Sequence, residues 1–378
     1  MSPTAWTYLD PLGLGITLSL SAALLSLVML ITNRTLGRRL PGMQLAACGV
    51  LLASVGFALN MLQAWLSPWV GLVLAVMLMV TGVSLLLGGA RQLRSMPAHW
   101  GWLAACCAAG LCTVLWFGVM APSPRWRIGL LSLLLAFLSL LVTRTALGES
   151  RPQHQAGMRL LALLGVVFAV LMGMRSLAAV LGLVDSSVSN SLVNTGSVLA
   201  SGMALIGGVV GLVLVLSGDL MALLQHQREH DSLTDLLNRV GLRQWIGAQA
   251  PQQALALGMV DLDHFKQIND RHGHSVGDQV IQHLALMLHA SESPVCRSAR
   301  LGGEEFVVIA LGQNADAALR HRLEQLRAQF ARSGPLPGST LSAGLASGTV
   351  ATFEATLRQA DSALYRAKAG GRNRLESI

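Results

Sequence analysis

Charge is scarce in this chain. Only 12% of its 378 residues are Asp, Glu, Lys or Arg, while 53% are hydrophobic. That balance excludes an ordinary soluble globular protein, whose charged share is about 25%. The scarcity is also uneven. The first 218 residues hold 11 Arg, no Lys and 3 acids, a balance of +8, and the rest holds 16 basic and 16 acidic residues, a balance of zero. The second part has no basic patch, which excludes the electrostatic footprint of a nucleic-acid binder. Cysteine is sparse, with five residues. Cys48, Cys106, Cys107 and Cys112 fall in apolar stretches and Cys296 in a strand-like run, with neither disulfide-framework nor metal-ligand spacing. They read as small packing residues. The start of the chain lacks a basic n-region, so no cleavable signal peptide is expected. Internal repeats and low-complexity tracts are absent.

Apolar length is abundant. Seven stretches reach the roughly 20 residues that cross a bilayer as a helix: about 11–32, 44–66, 69–90, 101–120, 128–147, 160–183 and 197–217. Pro68, Pro97, Pro122 and Pro124 fall in the expected connections, where proline is tolerated. Arg34, Arg38 and Arg39 follow the first span, Arg91 and Arg94 the third, and Arg144, Arg151 and Arg159 surround the connection between the fifth and sixth. The alternate connections carry only Arg125 and Arg127. The positive-inside rule then puts the N-terminus outside and the C-terminal part in the cytoplasm. Arg175 lies well inside the sixth span. A charge there faces a partner or a cavity, or snorkels to the interface; its nearest acid in sequence is Asp185. After the last span, Leu216, Leu220, Leu223 and Leu224 can continue the seventh helix toward residue 230, at most two weak heptads.

The second part carries the chemistry. Gly302-Gly303-Glu304-Glu305-Phe306 sits between the strand-like runs Val295–Leu301 and Phe306–Leu311, and glycines suit the tight turn of a hairpin. Two adjacent carboxylates at a hairpin tip repel each other unless a cation relieves them. Another buried strand, Leu255–Val260, ends in Asp261-Leu262-Asp263. If that end lies beside the hairpin tip, Asp261, Glu304 and Glu305 surround one point with hard oxygen donors, a set suited to Mg²⁺. A solvated acidic turn is the plainer alternative for the hairpin by itself.

The wider order of motifs decides between them. DSLTDLLNRVGL at 231–242 precedes the first strand, DLDHFKQINDRHGHSVGDQVI begins at Asp261, the GGEEF hairpin follows, and ADSALYRAKAGGRNR ends at Arg374. Together these resemble the GGDEF family of diguanylate cyclases over about residues 231–376. The resemblance implies an α/β domain with a mainly antiparallel central sheet flanked by helices. It implies condensation of two GTP into cyclic di-GMP with release of pyrophosphate, two Mg²⁺ ions per active site, and a homodimer for activity. Residue by residue, Asp261, Glu305 and the Leu262 carbonyl match metal ligands. Glu304 matches the acid that helps deprotonate the attacking 3′-hydroxyl and contacts metal. Asn269 and Asp278 match the guanine-binding pair, Lys368 and Arg372 the triphosphate cations, and the backbone at Phe265 and Lys266 the phosphate-cradling turn.

The residues are compatible with that chemistry. Phosphoryl transfer is mostly positioning and charge neutralisation, and an Arg fork suits phosphate. Outside the family pattern, Lys368 and Arg372 near the end of an amphipathic helix (Phe353, Leu357, Ala360, Leu364, Ala367), before a Gly370-Gly371 cap, would serve the helix dipole. His272 and His274, flanking a glycine, read as ordinary loop histidines more readily than as a metal pair. Asn238-Arg239 is expected to fix the opening helix of the domain. The Arg-x-x-Asp inhibitory motif of many family members is missing: Ser293 and Cys296 occupy its positions, with Arg297 and Arg300 out of register. No primary product-inhibition site is expected.

The resulting expectation is a multi-pass bacterial inner-membrane diguanylate cyclase. It has a sensory or anchoring membrane region at 1–217, a linker helix at 218–230 and a cyclase domain at 231–378. Its partners are GTP, membrane lipid and a second copy of itself, not nucleic acid. Two rivals are a non-catalytic receptor for GTP or a cyclic dinucleotide on the same fold, and a membrane receptor or transporter with a regulatory tail.

Overall fold

The computed structural model describes residues 11–35, 42–184 and 192–378. Arg38, Arg39 and Asp185 lie outside the described residues. The chain divides into two compact units, Met1–Met221 and Ala222–Ile378.

Seven described helices of the first unit are long and apolar enough to cross a membrane. They are α1 (Pro11–Thr35), α2 (Met43–Met61), α3 (Ala75–Leu93, led in by a π-helical turn at Trp69–Leu74), α4 (Trp100–Leu115, followed by a π-helical turn at Trp116–Met120), α5 (Pro124–Leu147), α6 (Gln155–Val180) and α7 (Leu192–Glu229). Pro124 opens α5 rather than lying in the connection before it; the first helical position needs no N–H donor and suits proline's fixed φ. The expected continuation of the seventh helix is present, since α7 runs on to Glu229.

Small residues set the packing of α2 on α3. A Cβ on Gly49 would stand 2.5 Å from the Gly82 carbonyl oxygen, one on Gly82 would stand 2.5 Å from the Ala53 nitrogen, and one on Gly89 would stand 2.5 Å from the Gly42 carbonyl oxygen. The two backbones therefore touch along a seam that tolerates no side chain. Gly82→Val should force them apart and destabilise the protein by about 1–3 kcal/mol, read as a lower Tm in detergent. Gly101→Ala, whose Cβ would meet nothing within 4 Å, is the control that should leave Tm unchanged.

Polar bonds join other helices of this unit. Ser139 Oγ donates to the Gly165 carbonyl at 3.0 Å and Ser176 Oγ to the Gly129 carbonyl at 2.8 Å, linking α5 and α6. Arg94, just past α3, donates to the Thr145 and Glu149 carbonyls at 2.7 and 2.8 Å, satisfying carbonyls at the C-terminal end of α5. His154 Nε2 meets Asp219 Oδ1 at 2.9 Å. Arg175 lines a cavity with Arg127, Asn60 and Ser132, and its Nε has no hydrogen-bond partner among the described residues.

The second unit holds a five-stranded sheet in the order β2-β3-β1-β4-β5: β1 (Ala254–Leu262), β2 (Cys296–Gly302), β3 (Glu305–Leu311), β4 (Leu341–Thr349) and β5 (Leu375–Ser377). Pairings are antiparallel except β4 with β5, so the sheet is mixed and mainly antiparallel. Its helices are α8 (Arg239–Gly247), α9 (Phe265–His272), α10 (His274–His289), α11 (Ala315–Ser333) and α12 (Phe353–Ala369). Both sheet faces are covered, which is why β1 and β3 read as unbroken apolar runs. Ala256, Val260, Phe306 and Val308 pack with Leu284 of α10 and Leu323 of α11. Leu255, Leu257, Val307 and Ile309 pack on the other face with Ile246 of α8 and Leu364 of α12. Asn238 caps α8, its Oδ1 accepting from the Val240 and Gly241 amides at 2.8 and 3.0 Å. Gly370 follows α12 with φ −74°, while Gly371, Arg372 and Asn373 take the positive-φ conformations that turn the chain into β5.

Candidate active site at the hairpin and the end of β1

The acids are placed by strand phase. Side chains alternate across a strand, so Asp261 follows Leu255, Leu257 and Met259 onto the α12 face, and Glu305 follows Val307 and Ile309 onto the same face. The ladder then sets Asp261 directly opposite Glu305. Facing like charges in an antiparallel pair are destabilising. The turn that lifts Glu304 beside them has Gly302 at φ 148° and Gly303 at φ 52°, values that glycine adopts without a Cβ clash.

The cation comes from α12. Lys368 Nζ stands 2.8 Å from Asp261 Oδ2, with Asp261 only 5% exposed and Lys368 34%. Helix α12 lies close enough to β4 that a Cβ on Gly344 would overlap the Ala360 and Leu364 backbone, and this close approach brings Lys368 to the strand end. Burial pushes the Asp261 carboxyl up to about 6; Lys368 opposes the shift, and Glu304 and Glu305 add to it. Asp261, Glu304 and Glu305 do not close within 4.8 Å of one another here; Asp261 turns to Lys368 instead. Glu304 is half-buried and Glu305 exposed. The donors fit Mg²⁺: they are hard carboxylate oxygens, with the Leu262 carbonyl one residue on, and a single ammonium offsets only part of their charge.

The remaining expected residues lie on α9, α10 and the turn after α12. Phe265 is buried and Lys266 exposed at the start of α9, after His264 at φ 57°. Asn269 lies on α9 and Asp278 on α10, with Gly273 at φ 84° between the two helices. Asn269 Oδ1 is buried without a hydrogen-bond partner, an orphaned acceptor that a ligand donor could satisfy. Gly277 keeps that place open, since a Cβ there would collide with Asn269 Oδ1. Asp278 and Arg372 are exposed, and Arg372 sits at φ 64° just past α12. His272 and His274 are exposed.

Ser293 and Cys296 exchange backbone hydrogen bonds at 2.9 and 3.1 Å. The Cys296 thiol touches the Arg322 guanidinium, and burial pushes its pKa up against that cation. The pair presents no free guanidinium or carboxylate. Arg297 instead pairs with Glu292 at 3.4 Å.

Two residues outside the expected set support the site. Asp263 is 4% exposed and accepts from Thr340 Oγ1 and Ser342 Oγ at 2.7 Å and from the Asn373 amide at 3.0 Å. It ties the end of β1 to β4 and to the turn carrying Arg372. Arg300 pairs with Asp231 at 2.8 Å and donates to the Gly303 carbonyl at 2.8 and 3.0 Å, joining the opening loop to the hairpin turn. The spacing of Asp263 just after Asp261 was a visible signal; nothing local marked Arg300.

Burial of Asp231 opposes its ionisation, but hydrogen bonds from Arg300 and Thr234 outweigh that and hold its pKa below the usual carboxylate value. A depressed native pKa contributes stability that is present above the unfolded value and lost as pH falls through the native one. Asp231→Asn should therefore lower stability by about 1–2 kcal/mol near pH 7. The gap to the unaltered protein should shrink below about pH 4, as followed by Tm across a pH series.

A family model described as diguanylate cyclase, GGDEF domain, matches residues 228–374. Diguanylate cyclase DgcP of Pseudomonas aeruginosa is 40% identical over 167 residues, 40% of this chain and 25% of that protein. Diguanylate cyclase DgcM of Escherichia coli is 39% identical over 165 residues, 40% of this chain and 39% of that protein. The chain thus spans well under two thirds of these relatives. The coiled coil and GGDEF domain of DgcB from Caulobacter crescentus, crystallised with c-di-GMP, is 28% identical, covering 42% of this chain and 91% of that one, with a TM-score of 0.38.

Proposed function

Residues 228–374 form a GGDEF domain, and from that premise we propose that the protein is a membrane-bound diguanylate cyclase that condenses two GTP into cyclic di-GMP and pyrophosphate. One observation carries the reading: Asp261 and Glu305 face each other on the α12 side of the sheet, with Lys368 at 2.8 Å from Asp261. Asp261, Glu305, the Leu262 carbonyl and Glu304 would hold Mg²⁺, with two ions per site. Mg²⁺ there would supply positive charge against the phosphates and make ionisation of a nearby hydroxyl easier. The chain's own groups do the positioning. Asn269 and Asp278 hydrogen-bond the guanine edge, and the Asn269 acceptor orphaned in this structure suits that role. Lys368 and Arg372 bind the triphosphate, and the amides at Phe265 and Lys266 cradle phosphate. Glu304 takes the proton from the attacking 3′-hydroxyl.

The division of labour is a membrane region at 1–217, a linker helix at 218–230 and a catalytic domain at 231–378. Exposed Leu20, Leu24, Ile31, Leu133 and Phe137 on the outer faces of α1 and α5 support contact with lipid. Arg94 bound to the Thr145 and Glu149 carbonyls gathers two arginine-bearing connections at one end of the bundle. That end is cytoplasmic by the positive-inside rule, which puts the N-terminus outside and the catalytic domain where GTP is, in the inner membrane. The uncharged Ser293 and Cys296 leave the primary inhibitory site unbuilt. The test is the full chain in detergent with GTP and Mg²⁺, its products resolved by mass. Cyclic di-GMP with pyrophosphate is expected. GTP binding without turnover would favour the receptor reading.

A further inference from the structure

A second group of metal-ligating side chains lies well away from the oxygen ligands. His226 lies on the last turn of α7 and His230 immediately follows its end, with the His230 amide donating to the His226 carbonyl at 2.9 Å, so both rings project to one side. Their rings stack with centroids 4.0 Å apart and planes inclined by 24°. Asp235 comes back onto them from the loop after the helix. Its Oδ1 is 2.8 Å from His226 Nε2, and one ligand atom from each of the three residues lies within 4.8 Å of the others. Among the described residues this is the only such triad.

The loop that delivers Asp235 is fixed. Asp231 accepts from the Asp235 amide through its carbonyl, and its own amide donates to the Leu236 carbonyl, each at 2.8 Å. The Asp231 carboxylate accepts from the Thr234 amide and hydroxyl at 3.1 and 2.8 Å. This tight loop holds Asp235 at φ 59°, a left-handed conformation that a non-glycine residue adopts infrequently. His230 Nδ1 lies 2.6 Å from the Asp235 carbonyl oxygen. With a proton on Nδ1 donated to that carbonyl, the lone pair is on Nε2. A metal-bound histidine is commonly oriented by such a bond from its other nitrogen.

We propose that His226, His230 and Asp235 form a binding site for a divalent transition metal of the zinc class. Two imidazoles and one carboxylate suit Zn²⁺ and its neighbours rather than Mg²⁺, which takes oxygen ligands. Tetrahedral zinc with bonds of about 2.0–2.2 Å keeps its ligands about 3.3 Å apart, so a triad whose ligand atoms already lie within 4.8 Å of one another closes around an ion by side-chain adjustment. Three protein ligands leave the fourth position to water. His226 and Asp235 are 49% and 74% exposed, so the ion has an open path from solvent. A bare His226–Asp235 ion pair is the simpler use of two of these residues, but it gives no part to the stacked His230. Occupancy ties the last turn of α7 to the loop that opens the GGDEF domain, a segment held in turn to the hairpin by Asp231 and Arg300. The site does not depend on the proposed cyclase activity.

The test uses the full chain in detergent, without nucleotide and with excess Mg²⁺ to occupy the oxygen ligands. Zn²⁺ alone is titrated against a chromophoric chelator, and amide hydrogen exchange is followed in parallel. One Zn²⁺ per chain should bind, and exchange over residues 226–236 should slow. His226→Gln and His230→Gln should each weaken binding at least about tenfold. Asp235→Asn should do the same without disturbing the loop, because Asn also tolerates positive φ; an unchanged exchange pattern in metal-free D235N separates lost ligation from lost structure. His272→Gln with His274→Gln is the control and should bind normally. Undiminished stoichiometry and affinity in the H226Q/H230Q double variant would overturn the assignment. So would loss of binding in the control, or unaltered exchange over 226–236 on adding Zn²⁺.

Discussion

Glu305→Ala should reduce cyclic di-GMP formation by at least about 10²–10³-fold, the scale set by removing one electrostatic contact to a developing charge. The reason is its place directly opposite Asp261 in the ladder. Without Glu305 the site keeps Asp261, but Asp261 is already engaged by Lys368, and too little negative charge remains to hold a divalent ion. The fold should survive, because Glu305 is exposed and its removal relieves repulsion. A readout independent of turnover is the rise in Tm on adding Mg²⁺, which should be present in the unaltered protein and lost in the variant. Near-native turnover by a folded E305A protein would defeat the metal assignment.

Asp261→Asn sharpens that test through pH. The native carboxyl, at about 6, is raised above its unfolded value of about 3.9. A raised carboxyl stabilises the fold fully below the unfolded value, and that contribution is lost as pH rises through the native one. Without metal, the unaltered protein should therefore lose stability relative to D261N between about pH 4 and pH 6. Added Mg²⁺ should reverse the order near neutral pH by stabilising only the protein that keeps the carboxylate. A flat difference across that window would mean that Asp261 carries no uncompensated charge.

These residues were legible in the sequence for a physical reason. Strands covered on both faces are continuous apolar runs, so Leu255–Val260 and Phe306–Leu311 stood out, and acids at their ends were conspicuous. Strand β4 was not legible in the same way. Its sequence, Leu-Ser-Ala-Gly-Leu-Ala-Ser-Gly-Thr, is too small and glycine-rich to signal a strand. The structure explains why: α12 presses against its backbone at Gly344, and small residues are what that contact admits. The partners of Asp263 were hidden because Thr340, Ser342 and Asn373 are brought to it only by the β1–β4 pairing and the turn after α12. In the sequence Arg300 is only an arginine out of register with the inhibitory motif. Its work is with Asp231 and the Gly303 carbonyl, contacts that span 69 residues in one case and a positive-φ turn in the other. The triad at His226 was invisible as well, since Asp235 reaches it only through a left-handed backbone that sequence does not announce.

Confining the protein to one chain per lipid nanodisc, at nanomolar disc concentration, should nearly abolish turnover, and placing two chains in a disc should restore it. Each chain has one Asn269–Asp278 set and one Lys368–Arg372 set, whereas cyclic di-GMP contains two guanines joined by two equivalent phosphodiester links. On the proposed roles one domain would accommodate half of the reactants, and a two-fold pair would present each 3′-hydroxyl to the other nucleotide's α-phosphate. Two domains sharing a disc meet at an effective concentration in the millimolar range for short connections, while domains on separate nanomolar discs do not. The expected contrast is at least about 10²-fold in turnover per chain, from the ratio of those concentrations. Glu305→Ala supplies the internal control: discs carrying one unaltered and one E305A chain should remain nearly inactive, because both links require an intact metal-binding set. Equal specific activity in one-chain and two-chain discs would rule the paired mechanism out, while leaving the chemistry at Asp261 and Glu305 to stand on its own test.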